Sequence, residues 1–152
     1  MKELQKRLIN ITNHTLIDSQ ILDAKSALKV TEIVNLPEDL KKIWSQVPAN
    51  ISTEQVKTHI KPILQWLHEL CYCDEHHMAN YDYFNYIICA GSRSACCYID
   101  FFAYNKGCAV VESCTERKSV EKIMPDGTVT KTAIFEHLQW REIPRYNPRE
   151  EY

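Results

Sequence analysis

The chain has 152 residues, 18 Lys+Arg against 20 Asp+Glu, and a formal net charge of −2. A near-neutral chain lacks the electrostatic footprint of non-specific nucleic-acid binding. Its three glycines, about 2% against a usual ~7%, form no G-x-G-x-x-G turn, P-loop or G-x-S-x-G elbow, and the H-E-x-x-H and EF-hand patterns are also missing.

In chain order, Leu4, Leu8 and Ile11 share one helical face and predict a first helix. Asp18 and Ser19 offer capping oxygens for a second, whose apolar face is Ile21, Leu22, Ala24, Ala27 and Leu28. The β-branched run 31–34 predicts a short strand. Asn35, Pro37 and Glu38 read as a helix start, Leu40, Ile43, Trp44 and Val47 as its stripe, and Pro48 as its stop. Ser52 and Gln55 form a capping box ahead of the longest periodic segment, Val56 through Cys71, which Pro62 should kink or split.

From Tyr83 onward β-formers dominate. Residues 83–90, 96–104, 108–115, 120–124 and 128–134 predict successive strands. Turns at Gly91, Gly107 and Pro125–Gly127 separate them. Residues 135–143 either extend the last strand or form a short helix. The expected fold is one α+β domain over 1–152. About four helices in 1–79 pack on an antiparallel β-meander of four to six strands in 80–143, followed by a tail in 144–152. In the order of its elements this plan loosely resembles the cone-shaped α+β folds of the nuclear-transport-factor-2 type, although fold alone fixes no function.

The seven cysteines are Cys71, Cys73, Cys89, Cys96, Cys97, Cys108 and Cys114. An odd count, an N-terminus without a signal-peptide apolar core and no run of membrane-spanning length read as a soluble, reduced, cytoplasmic protein. The cysteines are then core residues, metal ligands or reactive thiols.

The densest cluster of potential ligands is His68, Cys71, Cys73, His76 and His77. Thiolate and imidazole suit tetrahedral zinc, the one cofactor the sequence suggests. Against it, C-x-C is tighter than the usual zinc spacing, and Cys71 also closes an apolar stripe. A Cys/His nucleophilic pair could be drawn from Cys89, Cys97, Cys108 or Cys114 with His59, His68, His76, His77 or His137, but no local motif singles one out. Asp100 lies inside the apolar run Tyr98–Phe102. If that run is a strand, Tyr98, Asp100, Phe102 and Tyr104 share a face that could line a pocket, with Glu112 as a second carboxylate. The weak catalytic candidates are Asp100, Glu112, Cys114 and His137. The ligand-binding candidates are Tyr98, Asp100 and Tyr104.

Three functions fit these observations. The favoured one is binding of a protein partner, as an inhibitor, immunity protein or adaptor, with no nucleotide motif and no expected nucleic-acid or membrane partner. The alternatives are a small-molecule pocket or small enzyme using Asp100 with neighbouring Tyr and Cys residues, and a zinc-stabilised protein. Enzymatic activity is left open, leaning against.

Overall fold

The N-terminal segment that reads as a helix is an interior strand of a sheet. The computed structural model describes residues 4–73, 78–79, 83–145 and 147–151. Its elements are β1 (Gln5–Ile11), α1 (Asp18–Ser26), β2 (Glu32–Asn35), α2 (Glu38–Ser45) and α3 (Thr53–Cys71). These are followed by β3 (Tyr72–Cys73), β4 (Met78–Ala79), β5 (Tyr83–Cys89), α4 (Arg93–Lys106), β6 (Ala109–Ile123) and β7 (Val129–Glu142). The main sheet has the order β2-β1-β5-β6-β7, and β3 and β4 form a separate antiparallel pair. The pairings β1–β2, β1–β5 and β5–β6 are parallel, and only β6–β7 is antiparallel in the main sheet. The architecture is therefore α+β with four helices, among the described residues, and a five-stranded, mostly parallel sheet whose strands lie mostly toward the C-terminus. The expected antiparallel meander behind N-terminal helices, and with it the likeness to the cone-shaped folds, is overturned.

Two misread segments account for the difference. In β1, Leu8, Ile9 and Ile11 are all fully buried, because helices cover both faces of an interior parallel strand. Such a strand shows no alternation, and its apolar spacing mimics a helix. Residues 96–104, read as a strand, belong to α4. Ala95, Ile99 and Ala103 stand four apart and form its buried stripe, two of them small enough for close approach to the sheet. Gly107, read as a hairpin glycine, ends this helix in the left-handed conformation (φ 68°), and Cys108 N–H donates to the Ala103 carbonyl. The segments 108–115 and 120–124 are one continuous strand, β6, and residues 135–142 extend β7.

The other expected elements are present. The Ser52–Gln55 capping box forms in both directions, at 2.8 and 3.2 Å. α3 runs through Pro62 without being split.

Right-handed crossovers place the helices. From β1 the chain moves outward to β2 through α1. From β5 it moves the opposite way to β6 through α4. The two helices therefore cover opposite faces. Helices α2, α3 and α4 bury Ile9, Ile11 and Ile87, while α1 covers Leu8, Ile88, Val111 and Trp140. No helix among the described residues is long and apolar enough to cross a membrane.

Candidate functional site

The order reverses between β1 and β5, and the crevice beyond such a switch point is where open α/β sheets usually bind ligands. Here the chain's own side chains use the polar groups. Asn10 Nδ2 donates to His14 O (2.9 Å) and to Asn35 Oδ1 (3.1 Å), while Thr12 donates to Asn10 Oδ1 (2.7 Å). Trp44 lies against Gly91, its indole N–H donating to the Ala90 carbonyl at 2.8 Å. Elsewhere the chain presents an apolar groove, an exposed hairpin and a hydrogen-bonded cluster at the hairpin root.

The first is a groove of about 510 Å³ between α4 and the segment after β7. Asp100, Phe101 and Tyr104 form one wall, Val110 and Ile143 line its apolar part, and Arg145 faces them. The Arg145 guanidinium sits 5.3 Å from the centre of the Tyr104 ring and also donates to the Cys108 carbonyl. Burial raises the Asp100 carboxyl above its ordinary range, and Arg145 pulls it partly back. An apolar groove with two opposite charges suits an amphipathic ligand.

Asp100 and Tyr104 share this wall because they stand four apart on a helix. Tyr98 does not join them. Its hydroxyl donates to the Thr53 carbonyl at 3.1 Å. Glu112 is not in the groove either, and pairs instead with Arg141 across β6 and β7 at 2.6 and 2.8 Å. Cys114 sits opposite Gln139 on the hairpin.

The second surface is the distal hairpin. Every residue from 115 to 136 is exposed. At ~3.3 Å per residue the ribbon extends roughly 30 Å. Val120, Ile123, Met124, Val129, Ile134 and Phe135 are exposed along it. β7 is also an edge strand, so one side of its backbone is unpaired within the sheet.

The third is a hydrogen-bonded chain joining α1 to the root of the hairpin. His137 Nε2 lies 2.8 Å from Asp23 Oδ2, and His137 Nδ1 lies 2.6 Å from Ser113 Oγ. Gln20 Nε2 donates to the same Oγ at 3.2 Å. Trp140 packs its ring 5.0 Å from the imidazole and donates to the Gln20 carbonyl at 3.0 Å. A register shift between Cys114 and Thr115 makes this possible. Cys114 pairs with Gln139 and Thr115 with His137, so Leu138 is the extra residue of a bulge. The bulge turns both His137 and Trp140 toward α1.

Of this cluster only His137 is a candidate from the sequence; Asp23, Gln20 and Ser113 join it through the fold. Strict alternation places His137 and Trp140 on opposite faces, so no periodic signal marks the cluster.

The cysteine and histidine candidates are placed differently from the expected cluster. Cys71 points into the core beside Cys108, receiving a 3.7 Å contact from Asn85 Nδ2. The buried Arg7 fixes that corner, donating to Asn85 Oδ1 (2.9 Å) and to the Leu70 carbonyl (3.1 Å). His68 lines a shallow groove between α3 and α4. His76 and His77 lie outside the described residues, as does the side chain of Cys73. Among the described residues no three His, Cys, Asp or Glu side chains group as a metal site.

Thiols meet thiols instead. Cys89 at the end of β5 donates to Cys96 in the first turn of α4 at 3.2 Å. That bond, with burial, pushes the Cys89 thiol up, while at Cys96 the same bond lowers the thiol against the opposing effect of burial. His59, a candidate base, bonds the Ile43 carbonyl at 2.9 Å.

The chain belongs to the Uncharacterized protein MJ1673 family, matching it over residues 6–141. It is similar to the Uncharacterized protein MJ1673 of Methanocaldococcus jannaschii, 29% identical over 142 residues that cover 93% of this chain and 98% of that protein. No solved structure matches it. The family span takes in the hairpin and the Asp23–His137–Ser113 chain. Arg145, on the far wall of the α4 groove, lies beyond it.

Proposed function

We propose that the protein acts by binding another protein, with the distal hairpin as its docking element. The observation that carries this reading is a ribbon exposed throughout residues 115–136 that still bears six large apolar side chains. Side chains that bury nothing against their own sheet add nothing to the core, and the pairing puts Val120 and Ile134 on one face of the ribbon and Ile123, Val129 and Phe135 on the other, so both faces offer apolar surface beside the free edge. The charges on the ribbon balance. Arg117, Lys118, Lys122 and Lys131 oppose Glu116, Glu121, Asp126 and Glu136. Lys118 pairs with Glu136 at 2.5 Å and Lys131 with Glu121 at 3.7 Å. Such a ribbon offers no net field to a polyanion. Its partner is an extended protein segment that adds to the free edge of β7 and sets apolar side chains against Ile134 and Phe135.

A photo-crosslinking residue at position 135, with one at the exposed Leu22 as control, tests this in the native host. Position 135 should capture one specific protein, whose binding to the purified chain Phe135→Lys then weakens at least tenfold. Equal capture from both positions, capture of a second copy of this chain, or binding untouched by Phe135→Lys overturns it. Inhibitor, immunity and adaptor roles are distinguished by whether the captured protein is an enzyme, a toxin or a component of a complex.

A second reading has its own observation, the half-buried Asp100 facing an apolar groove. It makes the protein a carrier or sensor of a small molecule with an aromatic or aliphatic body and a cationic end. A ligand from a metabolite panel should then raise the melting temperature of the wild type but not of Asp100→Asn. An equal shift in both proteins excludes Asp100 from the binding.

A further inference from the structure

The chain from Gln20 to Asp23 runs in one direction. An ionised Asp23 can only accept, so His137 carries its proton on Nε2. Neutral Nδ1 is then an acceptor, and the Ser113 hydroxyl, 2.6 Å away, must donate to it. The Ser113 oxygen lone pairs face the Gln20 amide. The orientation of that amide is set at its other end, where Gln20 Oε1 accepts from the Ile17 N–H at 2.9 Å. Serine, base and orienting carboxylate therefore stand in hydrogen-bond contact. The imidazole side chain is 2% exposed and Asp23 27%. Ser113 is half-buried at the rim between α1 and the hairpin. The Gln20 amide has a second hydrogen with no partner among the described residues, beside the atom that would attack.

We propose that Ser113 is an acyl-accepting nucleophile and that this site cleaves small carboxylic esters. Ser113 Oγ attacks the acyl carbon while its proton passes to His137 Nδ1, and the Oγ–C bond forms. Asp23 stabilises the imidazolium through Nε2, and the spare Gln20 N–H donates to the oxyanion. The C–O bond to the alcohol breaks as the proton moves from Nδ1 to the departing oxygen. Water then gives a proton to Nδ1 and adds to the acyl carbon. The Ser113–acyl bond breaks, the proton returns to Oγ, and a carboxylic acid leaves. Relative to the familiar serine triads the ring is reversed, with Nδ1 toward the serine and Nε2 toward the carboxylate. Trp140 and α1 crowd the imidazole side, which limits the acyl group to a few carbons.

The test uses a fluorophosphonate probe, which phosphonylates activated serines, and p-nitrophenyl acetate as substrate. The wild type should carry one adduct, mapped to Ser113 by mass spectrometry, and Ser113→Ala should carry none. Because His137 is buried, Asp23→Asn is the informative variant. It should melt near the wild type yet lose roughly 10²-fold in labelling rate and ester turnover. Gln20→Ala should lower turnover while leaving the Ser113–His137 pair. Absence of a Ser113 adduct on folded wild type under conditions that label a known serine hydrolase overturns the proposal. An adduct rate unchanged in Asp23→Asn also overturns it.

Discussion

Replacing Gly91 by alanine sets a methyl group 2.8 Å from Trp44 Nε1 and 3.1 Å from its Cε2. The indole is 2% exposed and enclosed by the core of α2, α3 and α4, so it has little room to retreat. Overpacking of this kind costs roughly 1–3 kcal/mol. Any retreat also stretches the 2.8 Å bond from Nε1 to the Ala90 carbonyl, worth about 0.5–1.5 kcal/mol. The φ of 154° at Gly91 adds backbone strain of about 1–2 kcal/mol for any L residue. Together these predict a loss of about 3–6 kcal/mol, and a fall in melting temperature of roughly 10–20 °C for a domain this size. Gly127→Ala is the control. That glycine has φ 84° but nothing within 4 Å, so only the strain applies and the fall should stay below about 8 °C. Urea and thermal unfolding of the three proteins measure both differences. If Gly91→Ala melts within about 3 °C of the wild type, or above Gly127→Ala, the contact with Trp44 is not tight and the argument fails.

Two further outcomes follow from the titratable groups. The folded Asp100 carboxyl sits above its ordinary value because of burial, so its stabilising contribution is full in acid and is lost as pH rises through the folded value. Asp100→Asn should therefore gain in melting temperature relative to the wild type between about pH 4 and about pH 7, and a flat difference across that range refutes the assignment. Among the cysteines whose side chains are described, Cys97 is exposed while Cys71 and Cys108 are buried. A maleimide under native conditions should modify Cys97 first of these six and spare the Cys71–Cys108 pair until unfolding, as timed mass spectrometry would show.

Most helices were legible because their signals are local. The Ser52–Gln55 box, proline stops and an apolar stripe of the α3 kind depend on neighbours a turn away. The other expected caps do not form: the cap position of α1 is Ile17 rather than Asp18 or Ser19, and that of α2 is Pro37, while Asn35 ends β2 and bonds Asn10. The errors fell where burial erased the period. β1 is covered on both faces, so Leu8 and Ile9 are buried alike and only the spacing of Leu4, Leu8 and Ile11 was visible. α4 is rich in Cys, Tyr, Ile and Phe, residues that favour strands, and its helical state rests on Ala95, Ile99 and Ala103 meeting the sheet. Parallel pairing was illegible for a further reason. It depends on which strand lies beside which, and β1 meets β5 across more than seventy residues of chain.

The site residues divide along the same physical line. Asp100 and Tyr104 stand four apart, a spacing that returns to the same face in a strand of period 2 and nearly so in a helix of period 3.6. Their common wall therefore survived the wrong secondary structure. Tyr98 and Asp100, two apart, share a face only in a strand, and the helix separates them. His137 and Trp140 are three apart on β7 and share a face only because the bulge at Leu138 inserts one residue. The strand period of 2 does not contain that information. Ser113, Gln20 and Asp23 become neighbours of His137 through the same bulge and through α1 lying across the hairpin root. A bulge is a property of the pairing of two strands, so this cluster could be read only once the partner strand was known.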